Sequence, residues 1–370
     1  MTSTIDTRTP AEPPVNLIEY EMHARTLLSP SAYSYVAGAS AQEITNHANR
    51  SRFDEIRLAP RVLRDVSHID TTLELFGRRL EFPVLLAPTA FHKLMHPEAE
   101  LATVRGARAA ETLLVASTLA NTRIEDMCAA AAGHPLWFQL YVQRDRDFTL
   151  ELVKRAEAHG YRAIVLTADT PLLGARDREQ RRQLELPRGM ELPNLRGLAE
   201  RSSEPTFQHG TRNPFLDPSL TWKDLEWLAR ATKLPVIVKG VLHARDAQLA
   251  VDHGAAAIGV SNHGGRNLDT VPATIDALPT IAAVVGNVPI LFDGGVRRGV
   301  DVVKAVALGA SAVMIGRPYL WGLAAAGAEG VTRVVHLLVT ELEMAMAQCG
   351  AASLGAIHRE LVLHRDPGGS

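Results

Sequence analysis

Residues 235–266 read PVIVKGVLHARDAQLAVDHGAAAIGVSNHGGR. An apolar run opens the stretch, helical spacing follows over 243–253, and a second apolar run starts at Ala257 after Gly254. Runs that are apolar at almost every position predict strands buried on both faces, the condition of a parallel sheet covered by helices. The same alternation extends in both directions. Further apolar runs lie at 83–90, 113–118, 136–142, 163–170, 289–295 and 312–318, with helical patterns between them, for example at 147–159 and 299–308. Eight strands alternating with helices predict an α/β fold closed as a (β/α)8 TIM barrel. A weak internal repeat agrees. GYRA (160–163), GAAA (254–257) and GASA (309–312) each join a helix to a strand, with glycine at the left-handed residue that ends a helix. Strands one, five and seven are instead entered through Pro83, Pro235 and Pro289, where a missing N–H costs least.

Two segments fall outside the pattern. Residues 17–82 carry a helical stretch over 17–28 and a hairpin over 72–82 around Phe76-Gly77, an N-terminal extension expected to plug the bottom of the barrel. Residues 174–220 form a long polar loop after strand four, too short for a core of its own and read as a lid-like insertion. The expected organisation is a disordered tail at 1–16 and one barrel domain over 17–365. A net charge of −2 gives no electrostatic case for nucleic acid or an anionic membrane surface. No apolar run approaches the roughly 18 residues of a membrane helix. Cys128 and Cys349 have no metal-type spacing and read as thiols of a reducing, cytoplasmic compartment.

Polar residues gather at one end of these strands: Thr89, Ser117, Gln139, Tyr141, Thr167, Asp169, Lys239, Ser261, His263, Asp293 and Arg317. Barrel enzymes keep their chemistry at that end. After strands seven and eight, Asp293-Gly-Gly-Val-Arg297 and Gly316-Arg317 have the make-up of a phosphate cradle, with glycines for close backbone approach and arginines to pair the oxygens. The alternative is a plain tight turn. After strand six, His263 and Arg266 on a glycine-rich loop could converge on a small anion, the one as a proton acceptor and the other as a fork for a carboxylate. Asp169 could orient the imidazole. A surface loop is the alternative. Lys239 ends an apolar strand, where burial without a partner would be costly.

The motifs SNHGGRNLD (261–269), DGGVRRG (293–299) and IGRP (315–318) resemble those of the FMN-dependent 2-hydroxy-acid oxidase and dehydrogenase family. APTA (87–90), QLYV (139–142), LTADTP (166–171) and VKGV (238–241) match in the same order, so the likeness covers roughly residues 17–360. The resemblance implies bound FMN and oxidation of a small 2-hydroxy acid. It implies a catalytic set of His263 as base, Asp169 as its partner, Lys239 beside the flavin, and Tyr141 and Tyr35 in the substrate pocket. Arg176 and Arg266 correspond to the arginines that hold the substrate carboxylate. Pro88, Thr89, Ala90, Ser117, Gln139, Thr167 and Ser261 correspond to flavin-ring contacts, and Asp293, Gly294, Gly295, Val296, Arg297, Gly316 and Arg317 to ribityl and phosphate contacts.

The pattern is departed from at Ala39, where glycine is usual, at Leu119, aromatic in glycolate oxidases, and at Phe91-His92. Leu119 and Leu173 imply a substrate side chain of lactate size or larger, apolar or aromatic. The S stereochemistry, oxygen as electron acceptor and a homotetramer follow from the resemblance alone. The competing readings are a dehydrogenase that passes electrons to a quinone or protein, and a non-catalytic flavin-binding relative.

Overall fold

The structure is a computed structural model and describes residues 13–182, 190–197 and 216–363. Eight parallel strands close into a barrel: β1 Val84–Leu86, β2 Leu114–Ala116, β3 Leu136–Leu140, β4 Ile164–Thr167, β5 Val236–Val241, β6 Ala257–Val260, β7 Ile290–Asp293 and β8 Ala312–Ile315. β8 returns to pair with β1, so no edge is left open. The prolines enter β1, β5 and β7 as expected. Their carbonyls still accept from the neighbouring strands, as Pro235 does from Ile164 N–H at 3.0 Å and Pro289 from Ile258 N–H at 3.0 Å. Gly160, Gly254 and Gly309 all have positive φ.

Among the described residues, three helices precede the barrel: α1 Leu17–Leu27, α2 Pro30–Ala37 and α3 Ile44–Glu55. Asn16 caps α1 by accepting from the N–H groups of Ile18 and Glu19, and Ser29 with Pro30 starts α2. Such caps contribute about 1 kcal/mol each. The outer ring follows in chain order with α4 Ala99–Ala109, α5 Ile124–Ala131, α6 Arg146–Ala158, α7 Asp177–Arg182, α8 Trp222–Ala231, α9 Ala244–Asp252, α10 Thr274–Ala282, α11 Gly299–Ala307 and α12 Arg317–Cys349.

The period of two along a strand sets what fills the barrel. Leu85, Val115, Trp137, Val165, Ile237, Leu291 and Ala312 point inward and form one apolar cluster. Leu75 and Leu80 of the hairpin Leu73–Leu75/Arg78–Leu80 join this cluster, and Phe76 at its tip packs on Trp137 with ring centroids 5.6 Å apart. The hairpin is therefore the floor. Two residues further along the same strands stand Gln139, Thr167, Lys239 and Asp293, so the layer above the apolar plug is polar.

Three expectations need correction. Only the hairpin plugs the bottom. α2 and α3 sit at the opposite end, where Asn49 exchanges amide hydrogen bonds with Asn262 and Arg50 donates to the Gly295 carbonyl. The run at 312–318 is not all strand, because Arg317 and Pro318 already begin α12. α12 also reaches the length and mean hydropathy of a membrane span, against the expectation that no segment would. It is broken at Ala326–Gly327, and its apolar face packs on α1, α4 and α11, which marks it as a core helix. The expected tail falls largely outside the described residues, as do 183–189 and 198–215 of the insertion. The described part of that insertion packs down, with Asn194 buried and its side chain accepting from Ile124 N–H at the start of α5.

Candidate active site

The polar ends of the strands open into a cavity of about 400 Å³ at the C-terminal end of the barrel. Its lining includes every predicted site residue except Asp169 and Ser261, which stand behind His263 and Lys239.

His263 follows β6 in a left-handed conformation, φ 57°, with Gly264 and Gly265 also at positive φ. Its N–H donates to Ser261 Oγ at 3.1 Å. Its Nδ1 lies 2.8 Å from Asp169 Oδ1, so that nitrogen carries the proton and Nε2 is left for the cavity. Asp169 Oδ1 also accepts from Thr170 Oγ1 at 2.8 Å and from Asn267 Nδ2 at 3.2 Å. Its buried Oδ2 has no hydrogen-bond partner among the described residues. Burial works against the Asp169 charge, but His263 and Lys239 outweigh it and hold the carboxyl down at about 2. Burial pushes the His263 imidazole below its ordinary value, against the pull of Asp169. The pair is thus a carboxylate beside a neutral imidazole, fit to take a proton.

Lys239 is buried with Nζ 2.8 Å from Ser261 Oγ and 3.4 Å from Asp293 Oδ2. Burial disfavours its charge, yet Asp293 and Asp169 more than offset this, so the ammonium is held charged. Glycine is required at two neighbouring points. A Cβ at Gly259 would meet Lys239 Cα at 2.9 Å, and one at Gly240, φ 109°, would meet Asp169 Cγ at 2.6 Å.

Arg266 is anchored by the end of α2, donating from Nη1 to the carbonyls of Tyr35 at 2.7 Å and Gly38 at 2.8 Å. Its guanidinium carbon lies 5.0 Å from the Tyr35 ring centroid, a cation–π arrangement. Arg176 joins it by a 3.4 Å bond from Nε to the Arg266 carbonyl. On the other side, Arg317 donates to Val36, Gly38 and Gly264 carbonyls. Burial and neighbouring guanidinium groups weigh against the charge on Arg317, Arg297 and Arg266 alike. The only side-chain bond of Arg297 among the described residues is to its own neighbour's carbonyl, Val296. Partly buried cations in this state call for an anion. Beside them, Gly294 and Gly295 have φ of 105° and 88°, and a Cβ at Gly295 would collide with the Asn49 carbonyl oxygen.

The family model described as FMN-dependent dehydrogenase matches residues 24–364. The chain belongs to this family. A 2-hydroxyacid oxidase of Dictyostelium discoideum is 45% identical, over 94% of this chain and 90% of that protein. An L-lactate oxidase of Nostoc sp. is 47% identical, over 92% and 96%. A crystal structure of mandelate oxidase superposes with a TM-score of 0.87 at 40% identity, covering 95% of this chain and 99% of that one. FMN is the family's cofactor, and the anion-poor arginine cluster with its glycine cradle fits the phosphate of that group.

Sequence reasoning missed three contributors. Thr170 and Asn267 brace Asp169. Glu179 reaches Arg266 from across the loop at 3.0 Å. The spacing of Arg176 and Glu179, three apart at the start of a helix, was the available signal for the last.

Proposed function

We propose that this protein oxidises an (S)-2-hydroxy acid to the 2-keto acid and passes the electrons to oxygen, forming hydrogen peroxide. One observation carries the reading. His263, oriented through Nδ1 by the Asp169 carboxylate, and two arginines line the same cavity.

FMN, when bound, accepts the two electrons removed from the substrate and later gives them to oxygen. Gly294, Gly295, Arg297 and Arg317 would hold its phosphate, and Thr89, Gln139, Thr167 and Lys239 would line its ring. Lys239, kept cationic, favours negative charge developing beside it. Arg176 and Arg266 bind the substrate carboxylate and fix its orientation. His263 Nε2 takes the proton released as the hydroxyl-bearing carbon is oxidised, and Asp169 stabilises the imidazolium so formed. The wall formed by Phe91, Leu119, Leu173 and Leu192 is apolar, which favours a side chain of lactate size or larger, aromatic ones included.

We assign the protein to the cytoplasm on its free thiols and to a homotetramer on its family likeness. Sedimentation of the purified holoprotein tests the latter. The functional reading is tested by anaerobic titration of the yellow protein with a series of 2-hydroxy acids. The expected result is flavin bleaching and, in air, one peroxide per keto acid. Keto acid made without peroxide would move the protein to the dehydrogenases, and no bleaching by any acid would end the proposal.

A further inference from the structure

Arg176 and Arg266 do not face the cavity as a bare pair of cations. Glu179, in the first turn of α7, which begins directly after Arg176, reaches both. Its Oε1 accepts from Arg266 Nη2 at 3.0 Å, and Arg176 Nη1 lies 3.4 Å from each of its carboxylate oxygens. The three side chains are similarly shielded, at 15%, 15% and 16% exposure for Arg176, Arg266 and Glu179, and Glu179 is itself part of the cavity wall. The other nearby carboxylates are already engaged: Asp169 with His263, and Glu43 with Arg178 at 2.7 Å. Two guanidinium groups and one carboxylate leave a single positive charge, which one further carboxylate neutralises. Phe91, Leu119, Leu173 and Leu192 form the apolar part of the wall, and that part offers a second carboxylate no partner.

We propose that Glu179 sets the charge selectivity of this arginine pair, matching it to acids with one carboxylate and rejecting 2-hydroxy acids that carry two. The inference rests on the reading of Arg176 and Arg266 as the carboxylate clamp. Its physical content is like-charge exclusion. A second carboxylate on the substrate would lie within a few ångströms of Glu179 in a partly dehydrated site, where such repulsion is worth about tenfold or more in affinity.

The test uses the FMN-loaded protein and two tertiary alcohols that cannot be oxidised, 2-hydroxyisobutyrate and its dicarboxylate counterpart 2-hydroxy-2-methylsuccinate. Binding is read from the perturbation of the flavin spectrum. Wild-type protein should prefer the monocarboxylate. Glu179→Gln should shift the ratio of the two dissociation constants toward the dicarboxylate by about tenfold, and Glu179→Asp should restore it. If the glutamine variant fails to retain flavin, Glu179→Ala is read in the same titration. An unchanged ratio, or equal tightening of both ligands, would overturn the role of Glu179, the second result making it a simple competitor. Arg266→Met separates the two levels of the argument. It should weaken both ligands, and if it weakens neither, the clamp itself is wrong.

Discussion

At the scale of the residue, the chemistry concentrates in His263. Its left-handed backbone costs on the order of 1–3 kcal/mol for a residue that is not glycine. That cost is offset by the hydrogen bond to Ser261 and by the bond to Asp169, both of which need the ring where it is. Because burial holds the imidazole below its ordinary value, the neutral form persists into mildly acidic solution. kcat/KM should therefore rise with pH along a limb centred below the usual histidine value near 6.5 and then level off. Replacing Asp169 by asparagine removes the partner that pulls this value up. The acid limb should move to still lower pH while kcat falls about 10²–10⁴-fold, because the imidazolium loses its counter-charge. A pH profile of the variant checks both signs, and an upward shift of the limb would contradict the pairing.

At the scale of the element, adjacent strands leave room for the site by omitting side chains. β5 carries Lys239 inward and then passes Gly240 at φ 109°, against which Asp169 packs. An alanine there is strained in its backbone and meets the Asp169 side chain. We expect Gly240→Ala to destabilise the protein by about 1–3 kcal/mol and to lower kcat, since the carboxylate must shift. The floor of the barrel behaves differently. Leu75 is 4% exposed and belongs to the inner apolar cluster, remote from the polar layer. Leu75→Ala should cost about 2–5 kcal/mol in urea unfolding while leaving the affinity for FMN unchanged. Loss of flavin affinity in that variant would show that floor and mouth are coupled.

At the scale of the whole molecule, the end of α2 ties the two halves of the site together. Its Gly38 carbonyl accepts from both Arg266 and Arg317, so the guanidinium groups facing substrate and phosphate share one anchor. Arg266, Arg297 and Arg317 are partly buried, and the first two weigh against the charge on Arg317, a liability of the flavin-free protein. A ligand that binds only the folded state stabilises it by about 2.7 kcal/mol at a hundredfold excess over its dissociation constant. Removal of FMN should therefore lower Tm by several degrees, and inorganic phosphate alone should recover part of the loss. A flavin-free protein insensitive to phosphate would argue that the cluster is satisfied internally.

Local chemistry determined a good deal on its own. Continuous apolar runs demanded burial on both faces, glycine and proline marked where six of the eight strands begin, and Gln139, Thr167, Lys239 and Asp293 were placed together at the strand ends. The motifs after β6, β7 and β8 made the family recognisable. Other features came only with closure of the barrel. The extension was read as a bottom plug, yet α2 and α3 cover the top, because their partners, Arg266 and Arg317 for α2 and Asn262 and Gly295 for α3, are more than two hundred residues away in the chain. Asp169 stands behind His263 as its expected partner, but the Thr170 and Asn267 groups that brace it were not foreseen. Glu179 was not singled out, since its meaning depends on Arg266 arriving from another strand. Periodicity reports how a residue relates to its near neighbours. Charge balance depends on which distant groups the fold brings within a few ångströms, and no local pattern carries that information.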